Sequence, residues 1–535
     1  MLKKLIPALF ALLLLTCSLR AQKKSPNIII ILADDMGYSD IGCFGGDAMT
    51  PNLDEMAQRG LRMTQFYNAS RCCPTRASLL TGLYQHQAGV GDMMNTRPQP
   101  AYQGYLNNNC VTIAEALKEG GYNTFMAGKW HVGQAQDHWP RKRGFDRYFG
   151  LIDGASSYFG LYPYRPNQKL TLALDDTPFT PSDGYYSTDA YTDYAIRFIK
   201  ESKGSGKPFF LYLAYQAPHW PLHALPEDIA RYKGKFMKGW QKLREERLTR
   251  MIRLGVVPKG TPLSPPDPHV PAWDSLTDKE KADWDEKMAV YAAMIDRMDQ
   301  NIGRLRKQLK EMGEADNTVI MFLSDNGGSS ESIKGNGFLP AILEAGTRPS
   351  SDPSSFTSYG FSGANVSNTP FRLFKHWEYE GGTATPFIAY GPSIVKPGTV
   401  SQQPGHIIDL MNTCLDLAHT PYPAVYHQNT IKPTEGLSLV PLFKRAKWQG
   451  HDALFFEHEG NRAVRKGQWK LVSEFPENKW FLYDMENDRS ELRDLSQKYP
   501  EKVKELTSLY EEWAKRAEVI PFEQLVKRKG ENFEN

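Results

Sequence analysis

Residues 72–82 read Cys72-Cys73-Pro74-Thr75-Arg76-Ala77-Ser78-Leu79-Leu80-Thr81-Gly82. Pro74 has a fixed φ and no N–H, which suits the first turn of a helix. Thr75 to Leu80 are mostly good helix formers. A helix starting here puts residue 72 at its N-terminus, where free N–H groups and the dipole favour an anion. Arg76 lies one turn on and offers a planar fork to a sulfate or phosphate oxygen. By itself the stretch also admits a plainer reading, a buried cysteine pair ahead of an ordinary helix, and its surroundings decide.

Upstream, Asn27 to Ala33 is a short apolar run rich in β-branched residues. It predicts a strand buried on both faces of a mainly parallel sheet. It ends at Asp34-Asp35, two carboxylates placed where open α/β sheets bind ligands. Hard oxygen donors there suit Ca²⁺ or Mg²⁺, against the plain alternative of a polar turn. Downstream, Thr112 to Glu115 is a capping box opening a helix to Lys118, stopped by Gly120 and Gly121. A strand over Tyr122–Ala127 follows, then Lys129-Trp130-His131, whose alternation points Lys129 and His131 to one side. Pro208 to Tyr215 predicts another strand, followed by His219, Trp220 and His223. Thr318 to Leu323 predicts a further strand, ending at Asp325-Asn326. Two such pairs at one sheet edge make an oxygen-lined cation site.

In chain order these segments resemble the type I sulfatases, from about residue 26 to 517. The signature is C-x-P-x-R with a short helix ending in Thr-Gly. In that family the first Cys is oxidised to Cα-formylglycine, whose hydrated aldehyde is the nucleophile. The register assigns this role to Cys72, because Pro74 and Arg76 stand two and four places on. Departures are small: Thr75 stands where Ser is commoner, and Cys73 sits beside the convertible residue. The segment from Asn368 to Gly382 resembles the one that carries the last active-site lysine, here Lys375, with Arg372 and His376 in support.

The resemblance implies an alkaline-phosphatase-like α/β sandwich with a large, mostly parallel central sheet. A small C-terminal antiparallel sheet with one helix completes it. One Ca²⁺ is expected on Asp34, Asp35, Asp325, Asn326 and the Cys72-derived residue. Related phosphatases with two zinc ions carry His at the position of Asn326, and an amide oxygen suits the harder ion. Arg76 and Lys129 are expected to hold the nucleophile and His131 to take its proton. His219 and Lys375 are expected to bind sulfate oxygens, one of them protonating the leaving oxygen. The implied partners are a sulfated small molecule or glycan and a formylglycine-maturation enzyme. The continuation Gln85 to Val90 resembles the branch of broad bacterial arylsulfatases and some sulfated-galactose sulfatases, which leans the substrate toward galactose 3-sulfate. Substrate choice is expected from loops at the cleft mouth, with His86, Trp220, His223 and Glu331 as candidates. A phosphatase or phosphodiesterase of the same fold, or a non-catalytic glycan-binding protein, are the alternatives. Asn326 and a convertible Cys72 argue against the first, and the second needs a missing motif where none is missing.

The 535 residues allow two or more domains, and 41% hydrophobic content with a formal charge of +3 argues against a nucleic-acid binder. Residues 1–22 read as a signal peptide, with Lys3 and Lys4 before the apolar stretch Leu5 to Leu15, too short to span a bilayer. Export, most readily to a bacterial periplasm, is expected, with no transmembrane segment after removal. Anchoring through Cys17 is disfavoured by Thr16. Cys43, Cys72, Cys73, Cys110 and Cys414 remain, an odd and sparse set for a disulfide scaffold. Residues 26–438 are read as the catalytic domain and 439–535 as a small α+β domain. Residues 134–206 predict loops and short helices, and 233–283 a solvated insertion. Met288, Tyr291, Ile295, Met298, Ile302, Leu305 and Leu309 predict a long core helix, and His406 to Leu417 an amphipathic one.

Overall fold

The apolar run Asn27–Ala33 forms a fully buried strand inside an eleven-stranded sheet. The computed structural model describes residues 25–527, so the targeting segment lies outside the described residues. Ile29 and Ile31 enter one core, while Ile28, Ile30 and Leu32 enter another. Helices cover both faces of the strand, which is why its sequence shows no polar alternation. Each such Ile contributes about 1.5–3 kcal/mol by leaving water.

Thr318–Ser324 and Phe209–Ala214 flank this strand in parallel. Asn123–Gly128 and Arg147–Leu151 continue the parallel series. On the other side Ala384–Tyr390 runs antiparallel to both its neighbours, Thr318–Ser324 and Leu61–Tyr67. Short strands close both edges. The register decides what happens at the C-terminal ends. Ala33 lies opposite Ser324, Leu32 opposite Ala214, and Ala214 opposite Gly128. Four parallel strands therefore end level, and the segments after Ala33, Gly128, Ala214 and Ser324 leave the sheet together.

One face of the sheet carries Ser187–Glu201, Trp240–Arg253 and the 34-residue helix Asp278–Glu311. The predicted stripe from Met288 to Leu309 is buried there, and the helix opens with a capping box between Thr277 and Glu280. The other face carries Cys72–Thr81, Ile113–Glu119 and Asp409–Ala418. A second, antiparallel sheet runs Leu454–His458, Asn461–Lys466, Trp469–Ser473, Trp480–Asp484. Helix Pro500–Arg516 covers it with Leu506, Tyr510 and Trp513, in one cluster with Tyr84 and Ile408 from the larger part. The architecture is the expected mixed α/β one.

Three local expectations need correction. Residues 134–206 hold the sheet strand Arg147–Leu151 and the 15-residue helix Ser187–Glu201, whose Tyr191, Ala195, Phe198 and Ile199 are core. Residues 233–283 include helix Trp240–Arg253, which buries Trp240, Leu243, Arg244, Arg247 and Met251. Its charge misled because Arg247 is buried against Asp40 and Asp47, at 2.8 Å from each. His406 belongs to a two-residue strand, and the helix after it starts at Asp409. Among the described residues no helix is long and apolar enough to cross a membrane, and the five cysteines are buried and unbridged.

Candidate active site

Cys72 is the first residue of helix Cys72–Thr81, and every residue of that helix is buried. The Ala69 N–H donates to Thr75 Oγ1 at 2.9 Å, fixing the chain as it enters the helix. Gly82 ends the helix at φ 68°, where a Cβ would come within 2.6 Å of Met411, so only glycine fits. The two cysteines differ electrostatically. A hydrogen bond from Cys73 pulls the Cys72 thiol well below its usual range, and Lys129 and His131 help against the opposing effect of burial. Burial pushes Cys73 well above. Both sulfurs and one His131 ring nitrogen lie within 4.8 Å of one another.

The strand-end carboxylates meet beside this helix. Lys129 Nζ donates to Asp34 Oδ2 at 2.6 Å. Arg76 donates to Asp325 Oδ2 at 2.8 Å and to the Lys129 carbonyl at 3.0 Å. Asn326 Nδ2 donates to Asp35 Oδ1 at 2.7 Å, and the Asp35 N–H donates to Asp325 Oδ1 at 3.2 Å. Burial raises Asp34 and drives Asp325 well above the carboxylate range in spite of Arg76 and Lys129. Two buried oxygens, Asp34 Oδ1 and Asn326 Oδ1, have no hydrogen-bond partner, nor has His131 Nδ1. Asp35 and His131 sit at φ 62° and 57°, strained for residues with a Cβ and characteristic of sites that over-determine their backbone. The two unpartnered oxygens, one carboxylate and one amide, are hard donors of the kind that suits Ca²⁺ or Mg²⁺.

On the opposite side Lys375 Nζ donates to Asp35 Oδ2 at 3.0 Å and lies 3.5 Å from His219 Nε2. Burial pulls Lys375 down, but Asp35 and Glu331 more than compensate, leaving it raised and charged. His219 Nδ1 lies 2.6 Å from the Trp220 carbonyl, so Nδ1 carries the proton and Nε2 faces Lys375 and Asp35. Burial lowers both His131 and His219 to about 4, so both rings are neutral near pH 7. Glu331 accepts from Arg71 at 2.8 Å and from Trp220 Nε1 at 2.8 Å, and lies 3.4 Å from Lys375. The Arg71 and Glu331 side chains are 19% and 34% exposed, so this pair forms the group's outlet to solvent.

The structure thus brings together Cys72, Arg76, Lys129, His131, His219, Lys375, Asp34, Asp35, Asp325 and Asn326, with Trp220 and Glu331 at the margin. It does not bring His86 or His223 to them. His86 is fully buried, 2.7 Å from Glu457 and packed against Tyr102 and Trp513. His223 is buried with Nε2 2.6 Å from the Ser355 carbonyl and its ring among Tyr158, Phe159 and Phe356. His86 packs against a strand and the helix of the C-terminal sheet, and His223 packs among loops, which sequence position alone does not distinguish from a cleft mouth. Sequence reasoning passed over Arg71, next to Cys72, although a basic residue beside an anion site is a usable signal.

Comparison with known proteins agrees with this geometry. The model of the family described as Sulfatase matches residues 26–420, and that of the N-sulphoglucosamine sulphohydrolase C-terminal region matches residues 371–516. An uncharacterised sulfatase of Schizosaccharomyces pombe is 35% identical, covering 91% of this chain and 93% of the relative. An arylsulfatase of Klebsiella aerogenes is 34% identical, over 82% of this chain and 96% of the relative. The N-acetylgalactosamine-6-sulfatase of Rattus norvegicus is 29% identical, over 87% and 74%. Among solved structures, Ps i-CgsB in complex with k-i-k-neocarrahexaose superposes with a TM-score of 0.66 at 27% identity, over 92% of this chain and 93% of that one.

Proposed function

The chain belongs to the sulfatase family and is a sulfuric ester hydrolase; on that premise we propose that it is exported, matures Cys72 to Cα-formylglycine, and uses one Ca²⁺ to cleave sulfated carbohydrates. The observation that carries this reading is the meeting of Cys72, at a buried helix start, with two strand-end pairs whose Asp34 Oδ1 and Asn326 Oδ1 are unpartnered. Asp34, Asp35, Asp325 and Asn326 are the residues to hold the cation, which when bound supplies Lewis-acid polarisation of the sulfate. The matured residue 72 supplies, as its hydrate, an oxygen nucleophile in place of a thiol.

The chain's own side chains do the rest. Arg76 and Lys129, buried and charged, neutralise negative charge beside residue 72. Neutral His131, with one ring nitrogen unpartnered, accepts a proton there. Lys375 offers its ammonium to a sulfate oxygen, and the Lys375–His219 pair delivers the proton that the leaving oxygen needs. The carbohydrate class is supported by the relatives named for N-acetylgalactosamine 6-sulfate and by the neighbour that holds a neocarrahexaose. Galactose 3-sulfate is the first sugar to try.

The test is sulfate release from an aryl sulfate and from a panel of sulfated monosaccharides. It uses the wild type, the wild type after chelation, and Cys72→Ala. We expect turnover only in the unchelated wild type, restored by Ca²⁺. Stoichiometric zinc, or faster turnover of phosphate esters, overturns the reading in favour of a phosphatase. For export, cell fractionation should find the enzyme in the periplasm with its N-terminus near residue 22. Retention in the cytoplasm with Met1 intact contradicts it.

A further inference from the structure

A second group of titratable side chains sits beside the outlet and has no part in the chemistry above. Leu454–His458 and Asn461–Lys466 form a hairpin whose two turn residues are Glu459 and Gly460, at φ 48° and 85°. Two-residue hairpin turns with both φ positive favour Asn, Asp or Gly at the first position, and Glu is none of these. Glu459 Oε2 lies 3.2 Å from His376 Nδ1, and Asn461 Nδ2 lies 3.0 Å from His376 Nε2. His376 is therefore fully engaged, holding the carboxylate in place.

His458 is not engaged. It is fully buried, and neither ring nitrogen has a hydrogen-bond partner. Its Nε2 stands 3.7 Å from the other oxygen, Glu459 Oε1, too far for a hydrogen bond. Leaving buried polar nitrogens unpaired is costly, and each such group calls for an explanation. Arg71 Nε is likewise unpartnered. The group adjoins the reacting centre through the backbone: the His376 N–H donates to the Ser70 carbonyl at 2.9 Å, two residues before Cys72 and one after Lys375. The His376 and Glu459 side chains are 30% and 27% exposed, so a ligand reaches them from solvent.

We propose that this hairpin tip recognises the alcohol half of the substrate: Glu459, held by His376 and backed by the buried His458, accepts a hydrogen bond from a sugar hydroxyl beside the scissile sulfate, and the partly exposed Arg71 donates to a neighbouring one. A carboxylate with a guanidinium on the same outlet matches adjacent hydroxyls, each a donor and an acceptor. It repels a second anion. This assignment rests on the sulfatase reading and goes beyond it, because the sulfate-facing residues select no sugar.

The experiment compares kcat/KM on 4-nitrophenyl sulfate with kcat/KM on a sugar sulfate. The sugar is the one the wild type turns over fastest among the monosulfates of galactose, N-acetylgalactosamine, glucose and N-acetylglucosamine. For Glu459→Gln the sugar-to-aryl ratio should fall about tenfold to a hundredfold, the loss of a hydrogen bond to a charged group. Glu459→Asp, which keeps the charge and serves if the amide does not fold, should give a smaller fall. An unchanged ratio in both variants overturns the proposal. So does elemental analysis showing a zinc ion in the wild type that Glu459→Gln loses, since the group would then be a metal site. If the wild type, with aldehyde present at residue 72, hydrolyses neither substrate, the sulfatase chemistry itself fails and takes this inference with it. A wild type that hydrolyses both, with variants of unchanged ratio, sinks the inference alone.

Discussion

Glu380 and Asp325 are both fully buried carboxylates, one beneath the C-terminal sheet and one at the edge of the central sheet, and their surroundings move them in opposite directions. Glu380 is met on both oxygens, by Lys470 at 3.1 Å, Arg489 at 2.8 Å and the Tyr67 hydroxyl at 3.1 Å. Burial pushes it up, but Lys470 and Arg489 win and hold it at about 2. Glu491 is engaged too, with Lys470 at 2.9 Å on one oxygen and the Glu380 N–H at 2.7 Å on the other. Asp325 also has a cation, Arg76, yet burial and the neighbouring Asp34 drive it well above the usual range. In its group Asp34 Oδ1 and Asn326 Oδ1 have no hydrogen-bond partner, whereas both Glu380 oxygens are met. Buried charge that is internally satisfied joins two parts of a fold. Buried charge that leaves oxygens unpaired is arranged for something that arrives later.

Removing an oxygen from the unsatisfied group should have the largest effect. Asp325→Ala should lose the bound cation by elemental analysis and cut kcat/KM on an aryl sulfate by about a thousandfold or more, roughly 4 kcal/mol of transition-state stabilisation. A variant that keeps both metal and turnover breaks the comparison on this side.

The satisfied group should fail in another way. Glu380→Gln leaves Arg489 without its counter-charge and Lys470 with Glu491 alone, at a cost of about 3–5 kcal/mol of stability in denaturant unfolding. Turnover per folded molecule should stay at the wild-type level. Lost turnover with unchanged stability would show that the two groups are not distinct in role.

A smaller effect is the pH dependence. Glu380 titrates near 2 when folded and near 4.5 when unfolded, so the unfolded chain binds its proton more readily. The stability it contributes is complete above about pH 4.5 and is lost as pH falls toward 2. Unfolding free energies measured from pH 5 down to 3 should therefore decline less steeply in Glu380→Gln than in the wild type. Equal slopes would contradict the assignment.

Smallest of all should be Cys73→Ser. Cys73 is a buried thiol raised by its surroundings, and such thiols are inert. Its loss should leave most of the turnover, as a steady-state assay on an aryl sulfate will read. A collapse of activity would give Cys73 a part in the chemistry.

Much of the fold was legible because its signals are local. The five isoleucine, leucine and alanine positions after Ile28 read as a strand covered on both faces, and the strands Asn27–Ala33 and Thr318–Ser324 each run into the polar pair that marks the sheet's C-terminal end. Asp34, Asp35, Lys129, Asp325 and Asn326 were legible for the same reason, since they follow their strands directly, whereas Cys72, Arg76 and Lys375 were legible through the resemblance of their motifs. What escaped was fixed by contacts distant in sequence. Helix Trp240–Arg253 looks solvated until Arg247 meets Asp40 and Asp47, about two hundred residues away. His86 and His223 carried the right chemistry at the right distance along the chain, but His86 packs against the C-terminal sheet and its helix and His223 among buried aromatic rings. Glu459 and His458 meet His376 only because a second sheet docks there, and no period or motif announces that.

The central claim is that residue 72 acts as an aldehyde made from Cys72, and peptide mass analysis of active enzyme tests it most directly. The preparation should carry the aldehyde at 72 with an intact thiol at Cys73, and turnover should rise in proportion to the fraction converted. Full turnover from a preparation holding only the unmodified Cys72 thiol would contradict the account.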